Sequence, residues 1–372
     1  MKTIGFVSLE NPMTDMAAWS GTLFKICEGI QKAGFNVKWI RVNPPIFLMR
    51  MVKLYLKIRY GFTTQHPLMF KLLAKYTDWN SVRECDYLFF SGNAQIMNYS
   101  PIKKKYIYYS DACFIQMVNY YWFNMPKSLV SMADIEERMA INKAFLNLRS
   151  SRWASDCATT HYDSGKEKTH VLKFGANIDD GDINSASEYK SGKLRILFSG
   201  VEWERKGGDV AVNTVQHLRS HYGLDVELFI VGIRQLQEKY KSYRFINHVG
   251  FLNKNNASEY NSYVKIIKNC HLLLLPTRAE CAGIVFCEAS AYGLPIFTYD
   301  TGGIGDYVIN GVNGLRLAMD ANYKNFAEQI YLAIENKQMA ELHQNALKMY
   351  REQLNWNVWS QRFKSIMDSA EP

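Results

Sequence analysis

Two carboxylates eight positions apart, Glu280 and Glu288, and an adjacent pair of cations, Arg205 and Lys206, are side chains whose type and spacing can do chemistry. Glu288 lies in an apolar run, where a carboxylate is costly unless it is hydrogen-bonded. It therefore needs a polyhydroxylated partner or a buried cation, and a ribose diol would serve. Arg205 and Lys206 fall between Gly200 and the pair Gly207-Gly208. Two cations and free backbone amides can there meet a single anion, as a pyrophosphate requires. A surface cation pair is the plainer reading, and the position just after a strand favours the anion site.

These residues need elements to hold them. His271 to Gly314 reads as strand, loop, helix, strand: Leu272–Leu275 is uniformly apolar, like a parallel strand buried on both faces, and Pro276 ends it. Ile284 to Tyr292 reads as a short buried helix closed by Gly293-Leu294-Pro295, and Ile296 to Tyr299 as the next strand. In such a unit, ligands bind beyond the carboxyl ends of the strands, where a helix N-terminus presents amides to an anion. The loop and first turn, Cys281, Ala282, Gly283, Ile284 and Val285, are therefore placed at the ligand, and Gly302-Gly303 form a bare turn that can approach a phosphate.

The stretch resembles the signature of retaining glycosyltransferases of the two-domain GT-B type, and most closely the family 4 group. Glu280, Glu288, Gly293 with Pro295, Gly302-Gly303, Asp306 and Asn313-Gly314 match that family's pattern. The resemblance continues upstream, where Gly200, Arg205 and Lys206 match donor-phosphate positions. It implies an α/β fold of two Rossmann-like doubly wound domains facing each other across a cleft. It also implies that Glu280 hydrogen-bonds the donor sugar and Glu288 the ribose. Leu194–Ser199, Val226–Val231 ending at Gly232, and Arg244–Val249 ending at Gly250 read as further strands of the same domain, with Phe251 and Leu252 bordering the nucleotide base.

The first half reads as a second doubly wound unit, with strands Ile4–Leu9 and Val37–Val42 around a helix from Gly21 to Ala33, and strands Tyr87–Ser91 and Tyr106–Ser110 further on. Ser20 and Gly21 stand where the resemblance places a glycine against the donor diphosphate; a helix cap is the alternative. Asp111 ends an apolar strand where related enzymes commonly carry a histidine, so it either touches sugar or acceptor or caps the next helix. A long helix is expected over Lys127 to Trp153, with Met132, Ile135, Met139, Ile141, Phe145 and Leu148 at mostly helical spacing as its apolar face. The boundaries follow: residues 1–178 as an acceptor-binding domain, 179–354 as the nucleotide-sugar domain, and a terminal helix, 355–372, crossing back. Asp179 to Lys193 is polar and reads as a linker. Its Asp180-Gly181-Asp182 spells a metal-binding triplet in the wrong context, and reads as a solvated turn.

At 372 residues the chain is long enough for two cores. No segment has the roughly 18 uninterrupted apolar residues of a membrane span, and the N-terminus reads as a strand, so a cytoplasmic protein is expected. The 7 cysteines form no C-x-x-C pair, which argues against a disulfide framework or structural zinc.

The net charge is +9 and uneven: residues 1–190 hold 24 Lys and Arg against 17 Asp and Glu. No acid occurs between Glu28 and Asp78, whereas nine cations do. In a helix over Ile46 to Tyr60, Arg50, Lys53 and Lys57 form one polar stripe, suited to an anionic membrane surface or acceptor. A solvated helix face is the alternative. No nucleic-acid-binding motif accompanies the charge.

The expected function is transfer of a hexose from a nucleoside-diphosphate sugar (UDP- or GDP-sugar) to a glycan or lipid-linked acceptor hydroxyl, with retention. The setting would be bacterial cell-surface polysaccharide or glycoconjugate synthesis at the inner face of the membrane. Arg205, Lys206, Glu280 and Asp111 carry the catalytic expectation. No metal or other cofactor is expected, because side-chain cations take the metal's part. Three rivals are a nucleotide-sugar epimerase of similar fold, for which His161, His170 and His217 are the candidate histidines, a non-catalytic sugar-nucleotide or polysaccharide binder, and a basic membrane-binding protein that uses the first half alone.

Overall fold

The computed structural model describes residues 1–16, 18–183 and 188–370, and resolves the chain into two units, Met1–Lys173 with Trp359–Pro372, and Phe174–Val358. Asn184 to Ser187 of the expected linker lie outside the described residues. The remainder includes Asp180–Asp182, which form a single 3-10 turn.

Unit 1 contains strands β1 (Thr3–Ser8), β2 (Asn36–Arg41), β3 (Tyr87–Ser91), β4 (Tyr106–Ser110), β5 (Leu146–Arg149) and β6 (Thr169–Val171). Its helices are α1 (Thr22–Lys32), α2 (Ile46–Tyr60), α3 (Pro67–Lys75), α4 (Phe114–Met117), α5 (Lys127–Lys143) and α6 (Arg152–Thr160). The strands pair in parallel in the order β2-β1-β3-β4-β5-β6. The winding direction reverses between β1 and β3, so the loops after those strands flank the switch point where such sheets bind ligands.

Unit 2 contains β7 (Leu194–Ser199), β8 (Val226–Val231), β9 (Ile246–Gly250), β10 (Leu272–Leu275), β11 (Ile296–Tyr299) and β12 (Gly314–Leu317). Between them run α7 (Trp203–Lys206), α8 (Gly208–Ser220), α9 (Glu238–Lys241), α10 (Ala257–Asn269) and α11 (Ile284–Ala291), followed by α12 (Tyr323–Glu335), α13 (Met339–Glu352) and α14 (Trp356–Ala370). This parallel sheet has the order β12-β11-β10-β7-β8-β9, the Rossmann order, and reverses between β7 and β10. All four leucines of β10 are buried, as an inner parallel strand covered by helices on both faces requires.

The later part of α14 packs on unit 1. The Trp359 ring stacks on Phe363 (5.0 Å), and its indole N–H donates to the Tyr109 hydroxyl at 3.2 Å.

Two features of unit 1 depart from the sequence reading. The expected helix over Lys127–Trp153 is broken: α5 stops at Lys143, and β5 is inserted before α6. Leu146–Arg149 is wholly buried between β4 and β6, and a four-residue strand leaves no periodicity by which to tell it from helix. The buried face of α5 also differs. Ile135 and Met139 are exposed, whereas Glu136 and Glu137 are buried and held by hydrogen bonds from Asn98 and from Gln95 and Tyr108. Burial pushes the Glu137 carboxyl up, opposed by the Arg149 guanidinium.

Candidate functional site

The reversal between β7 and β10 brings the two motif-bearing loops of unit 2 together. After β7 the chain runs through Gly200 into α7, and after β10 through Pro276 to Glu280. Gly207 joins α7 to α8 with φ +72°, and a Cβ there would overlap the Pro276 carbonyl oxygen, so only glycine lets the two loops close on one another. Thr277 and Arg278 fasten the contact: the Arg278 N–H donates to the Arg205 carbonyl at 2.7 Å, and the Arg278 guanidinium pairs with Asp209 at 3.0 Å.

Three of the expected catalytic side chains meet there. The Lys206 ammonium donates to the Glu280 carboxylate, and Arg205 Nη1 lies 3.9 Å from the same oxygen. Lys206 is 8% exposed and Glu280 9%. Arg205 also donates to the Ala279 carbonyl (2.9 Å) and to the Glu202 carboxylate (2.6 Å), and its guanidinium holds the Glu202 carboxyl below the usual range. Buried charges of this kind persist only when paired. The cluster is a compensated set in which cations and carboxylate are held ready, and an incoming anion and a sugar hydroxyl can exchange for one another's partners.

Glu288 sits on α11, 3% exposed, and both its oxygens are engaged. Lys254 donates to one, and the Tyr263 hydroxyl to the other at 2.6 Å. The sequence reading anticipated that this carboxylate needs partners, and missed which ones. Lys254 and Tyr263 lie 34 and 25 residues away and carry no local signal. Burial, with Glu288 beside it, raises the Tyr263 phenol well above its ordinary value.

Gly232 closes β8 with φ +96°, and a Cβ there would strike the Gly200 carbonyl oxygen. With Val201, Trp203, Ile233, Arg234, Gln235 and Phe251 it lines a pocket of about 390 Å³. The Arg234 guanidinium stacks 4.4 Å over the Phe251 ring, and Leu252 is half-buried beside it in the chain. Arg234 was not anticipated; its position just after a strand-ending glycine was the available signal.

Gly283 caps the N-terminus of α11. Cys281 and Ala282 before it are buried, while Ile284 and Val285 are half-buried in the first turn. The Gly303 N–H donates to the Glu280 carbonyl (3.2 Å) and so ties the Gly302-Gly303 turn to the acid's backbone. Asn313 is a turn residue, donating to the Tyr307 carbonyl and accepting from the Ile309 N–H.

In unit 1, Trp19, Ser20 and Gly21 are three successive left-handed residues (φ 50°, 58° and 86°) leading into α1 at the β1–β3 switch point. Left-handed backbone at two non-glycine residues is a strain of the sort found at binding loops. Asp111 is half-buried at the end of β4 and does not cap α4, whose N-cap is Cys113. His161 pairs with Asp134 and His170 lies in β6, both in unit 1, whereas His217 stacks on His221 in unit 2. Among the described residues, no group of three or more His, Cys, Asp and Glu could hold a metal ion.

The model of the glycosyl transferases group 1 family matches residues 180–349, which include every unit 2 residue of the cluster. That segment is similar in sequence to the glycosyl transferases group 1 family. An uncharacterized glycosyltransferase of Methanocaldococcus jannaschii is 24% identical over 186 residues, 50% of this chain and 51% of that protein. The chain spans about half the length, or less, of the curated relatives it matches. Over nearly its whole length the fold is shared with sucrose-phosphate synthase from Thermosynechococcus elongatus (TM-score 0.68, 14% identity, 99% of this chain and 98% of that one). It is also shared with an Anabaena protein crystallised in complex with UDP (TM-score 0.65, 15% identity, 99% and 100%). The two Rossmann-like units therefore have the GT-B fold.

Proposed function

We propose that the protein transfers a hexose from a nucleoside-diphosphate sugar to an acceptor hydroxyl with retention of anomeric configuration. The observation that carries this reading is the convergence of Lys206, Arg205 and Glu280 at the β7–β10 switch point, beside a pocket that ends on a stacked arginine and phenylalanine. As the glycosidic bond breaks, charge grows on the leaving diphosphate, and fixed cations stabilise that charge more than they stabilise the ground state. Lys206 and Arg205 supply the cations, and Glu280, released from Lys206, accepts hydroxyls of the sugar.

Glu288 takes the ribose, and the Arg234–Phe251 edge takes the base. No side chain is assigned as nucleophile: in a same-face reaction the departing phosphate oxygen takes the acceptor's proton. No metal is assigned either, since the two cations carry out the charge neutralisation a metal would supply. Acceptor recognition is assigned to unit 1, with Asp111 touching sugar or acceptor, and Ser20 and Gly21 are assigned to the donor diphosphate. The complex of the Anabaena protein with UDP supports a uridine nucleotide as the first donor to test, and a GDP-sugar is the second. A glycan or lipid-linked acceptor in cell-surface polysaccharide synthesis completes the assignment.

A thermal-shift titration with UDP, GDP, ADP and TDP and their common sugars, with and without chelator, tests the donor site. Selective stabilisation by one nucleotide, indifferent to chelator, supports the assignment. Failure of all of them, or dependence on a divalent ion, overturns it. Proton NMR of the product then reports the anomeric configuration.

A further inference from the structure

Helix α2 is apolar on two opposite sides. Met49, Val52, Leu56 and Tyr60 face the core of unit 1, and of these only Leu56 is fully buried. On the far side, Phe47, Met51, Leu54 and Ile58 follow at helical spacing, i, i+4, i+7 and i+11, and are exposed by 68, 52, 60 and 78%. A solvated helix carries polar residues there, and four large apolar side chains in one exposed row ask for a cover. Arg50, Lys53 and Lys57 border one edge of the row and Arg59 the other. Among the described residues none of the four cations forms an ion pair, and no acid occurs in the sequence from Gly29 to Thr77.

We propose that α2 is an interfacial helix that lies on an anionic lipid surface, with the Phe47–Ile58 row inserted among the acyl chains and its flanking cations on the headgroups. The combination selects the occupant. An apolar row alone would suit a protein partner, but a row framed by uncompensated cations matches a surface that is apolar below and negatively charged above. The proposal goes beyond the assigned reaction and does not depend on it.

The test is co-sedimentation of the full chain with vesicles of phosphatidylglycerol and phosphatidylcholine at about 3:7, against phosphatidylcholine alone, over a salt series. The wild-type protein is expected to bind the anionic vesicles, to release as salt rises, and to ignore the neutral ones. R50Q/K53Q/K57Q lowers the partition coefficient about a hundredfold, taking each surface cation at its usual contribution. L54Q/I58Q, which keeps every cation, weakens binding to the anionic vesicles at low salt as well, because the apolar row no longer inserts. All five positions are exposed, so the variants keep the wild-type circular dichroism and melting temperature. Binding that is equal on neutral vesicles, or unchanged in both variants, overturns the proposal. So does a concentration-dependent dimer in sedimentation velocity that L54Q/I58Q dissolves, since the row would then be covered by a second copy.

Discussion

Replacing Lys206 with methionine separates the two tasks assigned to that residue. Its ammonium is almost fully buried on a carboxylate that is itself 9% exposed. Removing one partner of a fully buried pair costs about 3–5 kcal/mol, because the other charge is left uncompensated. Arg205 remains 3.9 Å from the Glu280 oxygen and takes up part of that loss. The expected cost of Lys206→Met is therefore about 2–3 kcal/mol, a fall in melting temperature of roughly 5–10 °C for a unit of this size. Glu280→Gln added to Lys206→Met removes the stranded charge, so the double variant should recover most of the lost stability, with a coupling of about 2 kcal/mol in a double-mutant cycle.

Binding should behave differently. If Lys206 also holds the donor diphosphate, the double variant regains stability and not affinity. The nucleoside diphosphate that stabilises the wild type should bind it at least tenfold more weakly, and turnover should fall by about 10²–10³, as for loss of one preorganised charge-stabilising donor. Urea denaturation and calorimetric titration read the two quantities independently. Additive stabilities in the cycle would refute the buried-pair argument. Wild-type nucleotide affinity in both variants would refute the phosphate role.

Three further predictions concern unit 2. Phe251→Ala should weaken nucleotide binding by about 1–3 kcal/mol, the usual worth of a base stacked on an aromatic ring, while leaving affinity for inorganic pyrophosphate unchanged; equal losses for both ligands would move the base elsewhere. Glu288→Gln should likewise weaken the nucleotide tenfold or more and spare pyrophosphate in isothermal titration, if the carboxylate takes the ribose. His271 has its imidazole lowered to about 4 by burial and then by Arg195, and its Nδ1 accepts from the Arg195 N–H at 3.0 Å. Between pH 6.5 and 4 the unfolded chain then binds a proton that the folded chain does not. Stability should fall with pH across that window, by at most about 3 kcal/mol, and His271→Gln should flatten this part of a urea-denaturation profile.

Within unit 2, much was legible in sequence because its signals are local. Leu272–Leu275 could be read as an inner strand because parallel strands are apolar on both faces, and the neighbouring glycines, Arg205-Lys206 and Glu280 fall at strand ends by spacing alone. The strands β7 and β8 and the helix α2 have the bounds read from the sequence. What required the tertiary structure was every fact set by strand order. The reversal between β7 and β10 puts Lys206 on Glu280 across 74 residues, and α10 with the loop before it supplies Tyr263 and Lys254 to Glu288.

The strand β5 was hidden because four buried residues have no period, and the burial of Glu136 and Glu137 because their partners come from β3–β4 connections and β4 rather than from α5 itself. The sequence of α2 shows its cations, but which of its apolar residues would face water was decided only by which side of the helix the core of unit 1 could cover. Local chemistry follows from residue type and spacing, whereas partnership between distant charges follows from chain topology, which a linear pattern does not encode.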